Sequence, residues 1–287
     1  MTFDNHIIVC PIEHSSAHEI KDKTVVLKTS SLDNVSIAVE KFKNNNNIIH
    51  AVLFVPDKPL SEFNFDIALP NCKIVCFASK LGEYSILRKQ FPYIHKNKIL
   101  FFFEPNSEES FLSVKLLSTL NIAVGFKLNS KDILWQDLLD ICFHTLYSKA
   151  SHYIFEPINY LISDFKKEGT IHIESSYFDN FRRYLHLSDT TMQLALTQDD
   201  LKNKNFIADG FESLLLKETE TVYEKKIAEW HAVFIENKPC ATCVAWRLCN
   251  GSFLSYCDKG MSEPVAFFSE ILEAIQSKNN RVGEISI

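Results

Sequence analysis

Six runs of β-branched and aromatic residues recur along the chain, at 24–29, 48–55, 73–78, 98–103, 121–126 and 151–155, their starts 24, 25, 25, 23 and 30 residues apart. Successive side chains of a strand point to opposite faces, so a continuous apolar run marks a strand buried on both sides. A period near 25 leaves room for one helix per strand. The pattern therefore predicts a parallel α/β architecture, either a doubly wound sheet or a full or partial (β/α) barrel of about six repeats. Helical solenoids are excluded because their repeats lack such strands.

Helices are expected between the runs, at 32–43, 79–90, 107–120 and 130–147. Ser107 and Ser130 stand at N-cap positions, and each is followed by acids in the first turn. Residues 59–70 are broken by Pro and Asn, and Asn44 to Asn47 read as a polar turn. Further strands are expected at 6–12 and 170–174. Beyond about residue 174 the chain turns irregular and polar, up to helices at 220–234 and 264–277. The expected division is a barrel-like domain over 1–180 and a smaller domain over 181–287.

The 287 residues are 46% hydrophobic and 23% charged, a globular composition with enough apolar content for a large core. A formal charge of -6 and a pI near 5.9, without a dense basic run, exclude nucleic acid as the main partner. No apolar stretch approaches the ~20 residues of a membrane span, and Met1 to His6 lacks the basic region of a secretory signal. A cytoplasmic location and reduced cysteines are expected.

The second half holds the densest chemistry. Cys240, Cys243, Cys249 and Cys257 fall within 18 residues, spaced C-x2-C-x5-C-x7-C. A CxxC pair turns two soft thiolates toward one point, and two further thiols complete a four-sulfur site for zinc or an iron–sulfur cluster. Chance grouping of small buried hydrophobes is the plainer explanation, and four cysteines so close argue against it. His231, nine residues before Cys240, is a reserve ligand. Cys76 lies inside a strand run and Cys142 on the apolar helical stripe Leu138, Leu139, Cys142, Leu146, so both read as core residues, as does the lone Cys10.

If the strands form a barrel, their C-terminal ends line its mouth. Glu104, Lys127 and Glu156 each directly follow an apolar run, with Asn106, Asn129 and Asn159 nearby, and are candidate substrate-binding residues. A polar residue at a strand end also marks simple exit to solvent. His6, His14 and His18 lack regular spacing and read as solvent-exposed loop residues. No GxGxxG follows the first strand, and GxxxxGK[ST] and GxSxG are absent, so the usual nucleotide and serine-hydrolase signatures are missing. The 23 phenylalanines read as core.

A strand–helix repeat followed by Pro239, Cys240, Cys243, Cys249 and Gly251 and then a final helix resembles the radical SAM/SPASM peptide-maturase family. Cys240, Cys243 and Cys249 match the first three cysteines of the SPASM core, Gly251 and Ser252 its small residues, and Phe253 stands at the fourth cysteine position. The CxxxCxxC loop that holds the S-adenosylmethionine cluster in that family is absent; its nearest approach is Cys72, Cys76 and Ser79. The resemblance implies a degenerate member with a small SPASM-like C-terminal domain, zinc or an iron–sulfur cluster at Cys240, Cys243, Cys249 and Cys257, and no S-adenosylmethionine cluster. It implies a pseudoenzyme or accessory subunit that binds a precursor peptide or partner maturase in ribosomal-peptide modification. The alternative is a peptide-modifying enzyme that uses the barrel mouth or the C-terminal cluster.

Overall fold

Burial of both faces turns the apolar runs into strands. In the computed structural model, which describes residues 3–14, 19–67, 71–128, 132–147, 154–165, 171–236, 239–253, 260 and 262–284, the chain is an α/β protein with mostly parallel strands. Two compact units are each assembled from two chain segments: Met1–Phe103 with Tyr177–Lys225, and Glu104–Ser176 with Lys226–Ile287.

The first unit contains β1 (Ile7–Pro11), β2 (Thr24–Thr29), β3 (Ile48–Phe54), β4 (Lys73–Phe77) and β5 (Ile99–Phe103), followed late in the chain by β8 (Tyr184–Leu187), β9 (Gln193–Ala195) and β10 (Ala208–Asp209). All five residues of β1 and of β5 are buried, as expected of strands covered on both sides. The order is β10-β9-β8-β1-β2-β3-β4-β5. From β8 to β5 every pairing is parallel, with Val9 opposite Val26 and Ile8 opposite Leu185, whereas β9 and β10 are antiparallel. Helices α1 (Val35–Asn44) and α2 (Tyr84–Lys96) bury Val35, Val39 and Phe42, and Leu87, Phe91 and Ile94.

A late strand beside the first gives β1 a parallel partner on each side. The face curls as well. His50 of β3 and Tyr184 of β8 have ring centroids 6.4 Å apart, although three interstrand steps separate their strands by about 14 Å in a flat sheet. Phe178 fills the curve, edge-on to His50 at 6.0 Å and to Tyr184 at 5.7 Å, with the Lys73 ammonium 5.7 Å from its ring. Its φ of 66° is uncommon for a bulky residue, and full burial among these groups holds it there. Beside it Tyr177 packs edge-on against Phe102 of β5 at 6.3 Å.

The stretch beyond about residue 174, expected to be irregular up to the helix at 220–234, is thus corrected: it supplies β8 to β10. These strands span only four, three and two residues, too short to show a period. The strand expected at 170–174 is also corrected. Thr170 lies outside the described residues, and Ile173–Tyr177 is a 3-10 turn in which Ser175 N–H donates to the His172 carbonyl and Ser176 Oγ to that of Ile173. Such local bonds compete with a sheet ladder.

The second unit contains β6 (Val124–Phe126) and β7 (Phe155–Glu156), a parallel pair with Val124 opposite Phe155 and Gly125 opposite Glu156. A Cβ at Gly125 would stand 2.5 Å from the Glu156 carbonyl oxygen, so only glycine permits this approach. Around the pair run α3 (Glu108–Thr119), α4 (Trp135–Tyr147) and α5 (Ile158–Asp164). Ser107 caps α3 by accepting from Ser110 N–H at 3.3 Å, with Glu108 and Glu109 in the first turn, as expected. The Ser130 cap lies outside the described residues. Helix α6 (Gln198–Lys202) belongs to the first unit, and α7 (Lys217–Ile235) passes from the first unit to the second.

The histidines depart from the exposed reading. His14 is buried and its Nε2 lies 2.9 Å from the Thr191 carbonyl. His6 is 9% exposed, wedged between Phe3 at 5.1 Å and Tyr223 at 5.8 Å. His18 lies outside the described residues. Burial holds the pKa of His6 below the usual 6.5, and burial, then Arg183 and Lys73, do the same to His50. The unfolded chain therefore binds these protons more readily, so stability is complete above about 6.5 and declines as pH falls below it. Urea midpoints should drop between pH 7.5 and 5.5, and the drop should be smaller in His6→Phe; an unchanged drop would remove His6 as a contributor.

Candidate functional site

The cysteine segment is a turn that runs into a short helix. Pro239–Thr242 forms a 3-10 turn, and the Cys243 N–H donates to the Cys240 carbonyl at 3.2 Å. Trp246 N–H then donates to the Cys243 carbonyl at 3.0 Å and opens α8 (Trp246–Cys249). Asn250 and Gly251, at φ 52° and 76°, end the helix in the left-handed region that Asn and Gly tolerate. Cys240 is buried, while Cys243 and Cys249 are half-buried.

Side chains around this segment fix it in place. Asn250 Nδ2 donates to the Ile171 carbonyl at 2.6 Å, its own carbonyl accepts Trp230 Nε1–H at 3.0 Å, and Ile171 N–H donates to the Arg247 carbonyl at 2.9 Å. The Arg247 guanidinium stacks over Phe165 at 4.4 Å and donates to its carbonyl at 2.5 Å. Trp230 and Trp246 lie 5.5 Å apart. These partners were not singled out from the sequence, because each bond joins residues remote along the chain.

Phe253 is 4% exposed in an aromatic cluster. It meets Trp135 of α4 at 5.1 Å and Phe268 at 5.7 Å, and Phe267 meets Trp135 at 5.4 Å. Phe267 and Phe268 belong to α9 (Glu263–Glu284), so the cluster fastens the end of the cysteine segment between α4 and α9.

Cys257 lies outside the described residues. Among the described residues no three His, Cys, Asp or Glu side chains are grouped to hold a metal ion, and His231 is exposed with its ring edge-on to Trp230 at 4.8 Å. The three described thiols thus share one segment without composing a donor set by themselves. The remaining cysteines differ in chemistry. Burial pushes the Cys10 thiol up to about 12, with Glu13 adding to the shift, and burial raises Cys76 and Cys142 as well, as suits the core role expected of them.

Of the three strand-end residues, Glu104 is exposed after β5 and its Oε2 accepts from Asn106 Nδ2 at 3.2 Å. Lys127, directly after β6, is 8% exposed. Glu156 is half-buried in β7, and its Oε2 accepts the Tyr160 N–H at 2.9 Å in the first turn of α5. Asn159 turns its Oδ1 to the Phe155 N–H at 2.8 Å. Pairing of β6 with β7 sets Lys127 and Glu156 at the ends of neighbouring strands, and Asn129 lies outside the described residues. In the first unit the matching strand ends carry a group that was not singled out: Thr29 Oγ1 donates to Glu13 Oε1 at 3.1 Å, and Lys28 reaches Asp189 at 3.3 Å.

No protein-family model, curated protein or solved structure matches the chain. Fold and site define an α/β protein of mostly parallel strands that carries three cysteines on a turn and the short helix after it in its second unit. No described helix is long and apolar enough to cross a membrane.

Truncating Phe253 to alanine empties the centre of the aromatic cluster, and Phe→Ala at a buried site costs about 3–5 kcal/mol. Chemical denaturation of Phe253→Ala should show a loss of that order; a loss below about 1 kcal/mol would mean the cluster does not fasten the segment.

Proposed function

We propose that the chain is a noncatalytic, barrel-like protein with a degenerate SPASM-like C-terminal region, and that it binds a precursor peptide or partner maturase in ribosomal-peptide modification. Cys240, Cys243 and Cys249, together with Cys257, hold a structural zinc ion or iron–sulfur cluster, and the protein is cytoplasmic. No S-adenosylmethionine cluster is involved, since its cysteine loop is missing from the sequence.

The observation that carries this reading is the packing of the cysteine segment. Its turn is tied by Asn250, Trp230 and Arg247, and its far end is buried through Phe253. A segment tied at its turn and at its far end serves as a joint, and an ion there adds a further cross-link. The barrel reading is supported by β8 lying parallel beside β1 and by the curl of that face, since closing a (β/α) barrel requires a late strand to return beside the first.

A second reading, in which the barrel mouth performs a modification, draws on the burial of Lys127 at a strand end next to Glu156. A buried lysine at a strand end is a recognised place for acid–base chemistry.

Anaerobically purified protein should contain about one zinc per chain, or iron and sulfide with a broad absorption band near ~400 nm. Cys243→Ser should lose that metal and melt the second unit at lower temperature. Metal-free wild-type protein, with Cys243→Ser equally stable, would sink the structural-metal reading. The binding reading predicts that the affinity-tagged chain co-purifies with a short precursor peptide or modifying enzyme encoded beside it, and that the peptide is recovered unaltered in mass. A mass change that Lys127→Met or Glu156→Gln abolishes without unfolding would favour the enzymatic reading instead.

A further inference from the structure

We propose that Cys240 and Cys243 form a reversible dithiol–disulfide pair, a redox-modified site within the C-terminal turn. The geometry starts from the backbone. The hydrogen bond from Cys243 N–H to the Cys240 carbonyl, 3.2 Å long, closes a four-residue turn. Such a turn holds its first and fourth Cα atoms within ~7 Å, and a disulfide closes over roughly 4.4–6.8 Å. Pro239–Thr242 is a 3-10 turn that leads directly into Cys243, so Cys240 and Cys243 hold the first and fourth positions of one backbone turn. The intervening residues are the small Ala241 and Thr242.

Accessibility divides the roles. Cys243 is half-buried and can be reached by an oxidant, whereas Cys240 is 5% exposed and shielded from it. Thiol–disulfide exchange needs one accessible attacking sulfur and one resolving sulfur close behind it. Cys10, Cys76 and Cys142 offer neither, being buried in β1, β4 and α4.

The oxidant is a small disulfide such as oxidised glutathione. The Cys243 thiolate attacks one of its sulfurs, a Cys243–glutathione disulfide forms, and one glutathione thiolate leaves. The Cys240 thiolate then attacks Cys243 Sγ, the protein disulfide forms, and the second glutathione leaves. The two protons from the cysteines pass to the two glutathione thiolates. The protein is oxidised by two electrons and glutathione disulfide is reduced to two thiols.

The disulfide follows from the turn alone. Its consequence rests on the structural-metal reading: closing the pair withdraws two thiolates from the ion, so metal and disulfide exclude one another.

The test uses the full chain, stripped of metal by a chelator, equilibrated in glutathione redox buffers, trapped with an alkylating agent and examined by peptide mass spectrometry. Oxidation should remove two hydrogens from the peptide carrying Cys240 and Cys243, and dithiothreitol should restore them. In the metal-free protein Cys249→Ser should still close the Cys240–Cys243 bond, and Cys240→Ser should accumulate a glutathione adduct at Cys243. A stable adduct at Cys243 in the wild type, a Cys243–Cys249 bond, or no change at any buffer ratio would each overturn the proposal. In a parallel arm, zinc-loaded protein should resist oxidation. If zinc is not taken up, the metal reading fails while the disulfide result stands by itself.

Discussion

Everything in the first unit follows from the need to cover both faces of parallel strands. Such strands cannot be joined by tight hairpins, so each connection is long enough to carry a helix or folded loop, and the connections themselves supply the cover. The arrangement consumes apolar side chains, which is why β1 and β5 carry none of the alternation of a one-sided sheet. Placing β8 beside β1 extends the same rule to the other side of the first strand. The curled face then needs filling, and Phe178 and Tyr177 enter it from the segment just before β8. Phe178 tolerates its left-handed backbone because nothing smaller would occupy that volume.

Unpaired backbone at the outermost strands is answered locally. In β10, Ser213 Oγ donates to the Asp209 carbonyl, and Thr219 Oγ1 to that of Ile207 just ahead of the strand. In β7, Asn159 takes the Phe155 N–H. These contacts shorten the edges that would otherwise recruit another strand. They also bear on the strand-end carboxylates: Glu156, which reads as a mouth residue from its position, spends one oxygen on the first turn of α5.

The parts of the fold legible from sequence are those whose cause is local. Residues 24–29 become β2 with the same bounds, and Ser107 caps its helix, because an apolar run and a capping hydroxyl act on their own neighbours. The strands β8 to β10 leave no comparable trace, since two to four residues cannot establish a period. His6 and His14 fail for a different reason: their burial is decided by Tyr223 and Thr191, residues far along the chain that no spacing rule connects to them. The cysteine cluster was legible as a grouping of thiols. What surrounds it was not, because Phe253, Trp135 and Phe268 come together only when α4 and α9 pack.

The contrast between the two sets of cysteines shows how position settles thiol chemistry. Cys10, Cys76 and Cys142 sit buried in regular elements whose backbone hydrogen bonds are already made, and burial holds their thiols protonated. Cys240 and Cys243 sit on a turn, where the chain reverses too tightly to bury both residues, and one of the two sulfurs is left within reach of solvent. A core position rewards a small apolar residue, and there the thiol acts as one. A turn position exposes the sulfur to ligands and oxidants, so there the identity of the atom, rather than its volume, is what the fold puts to use.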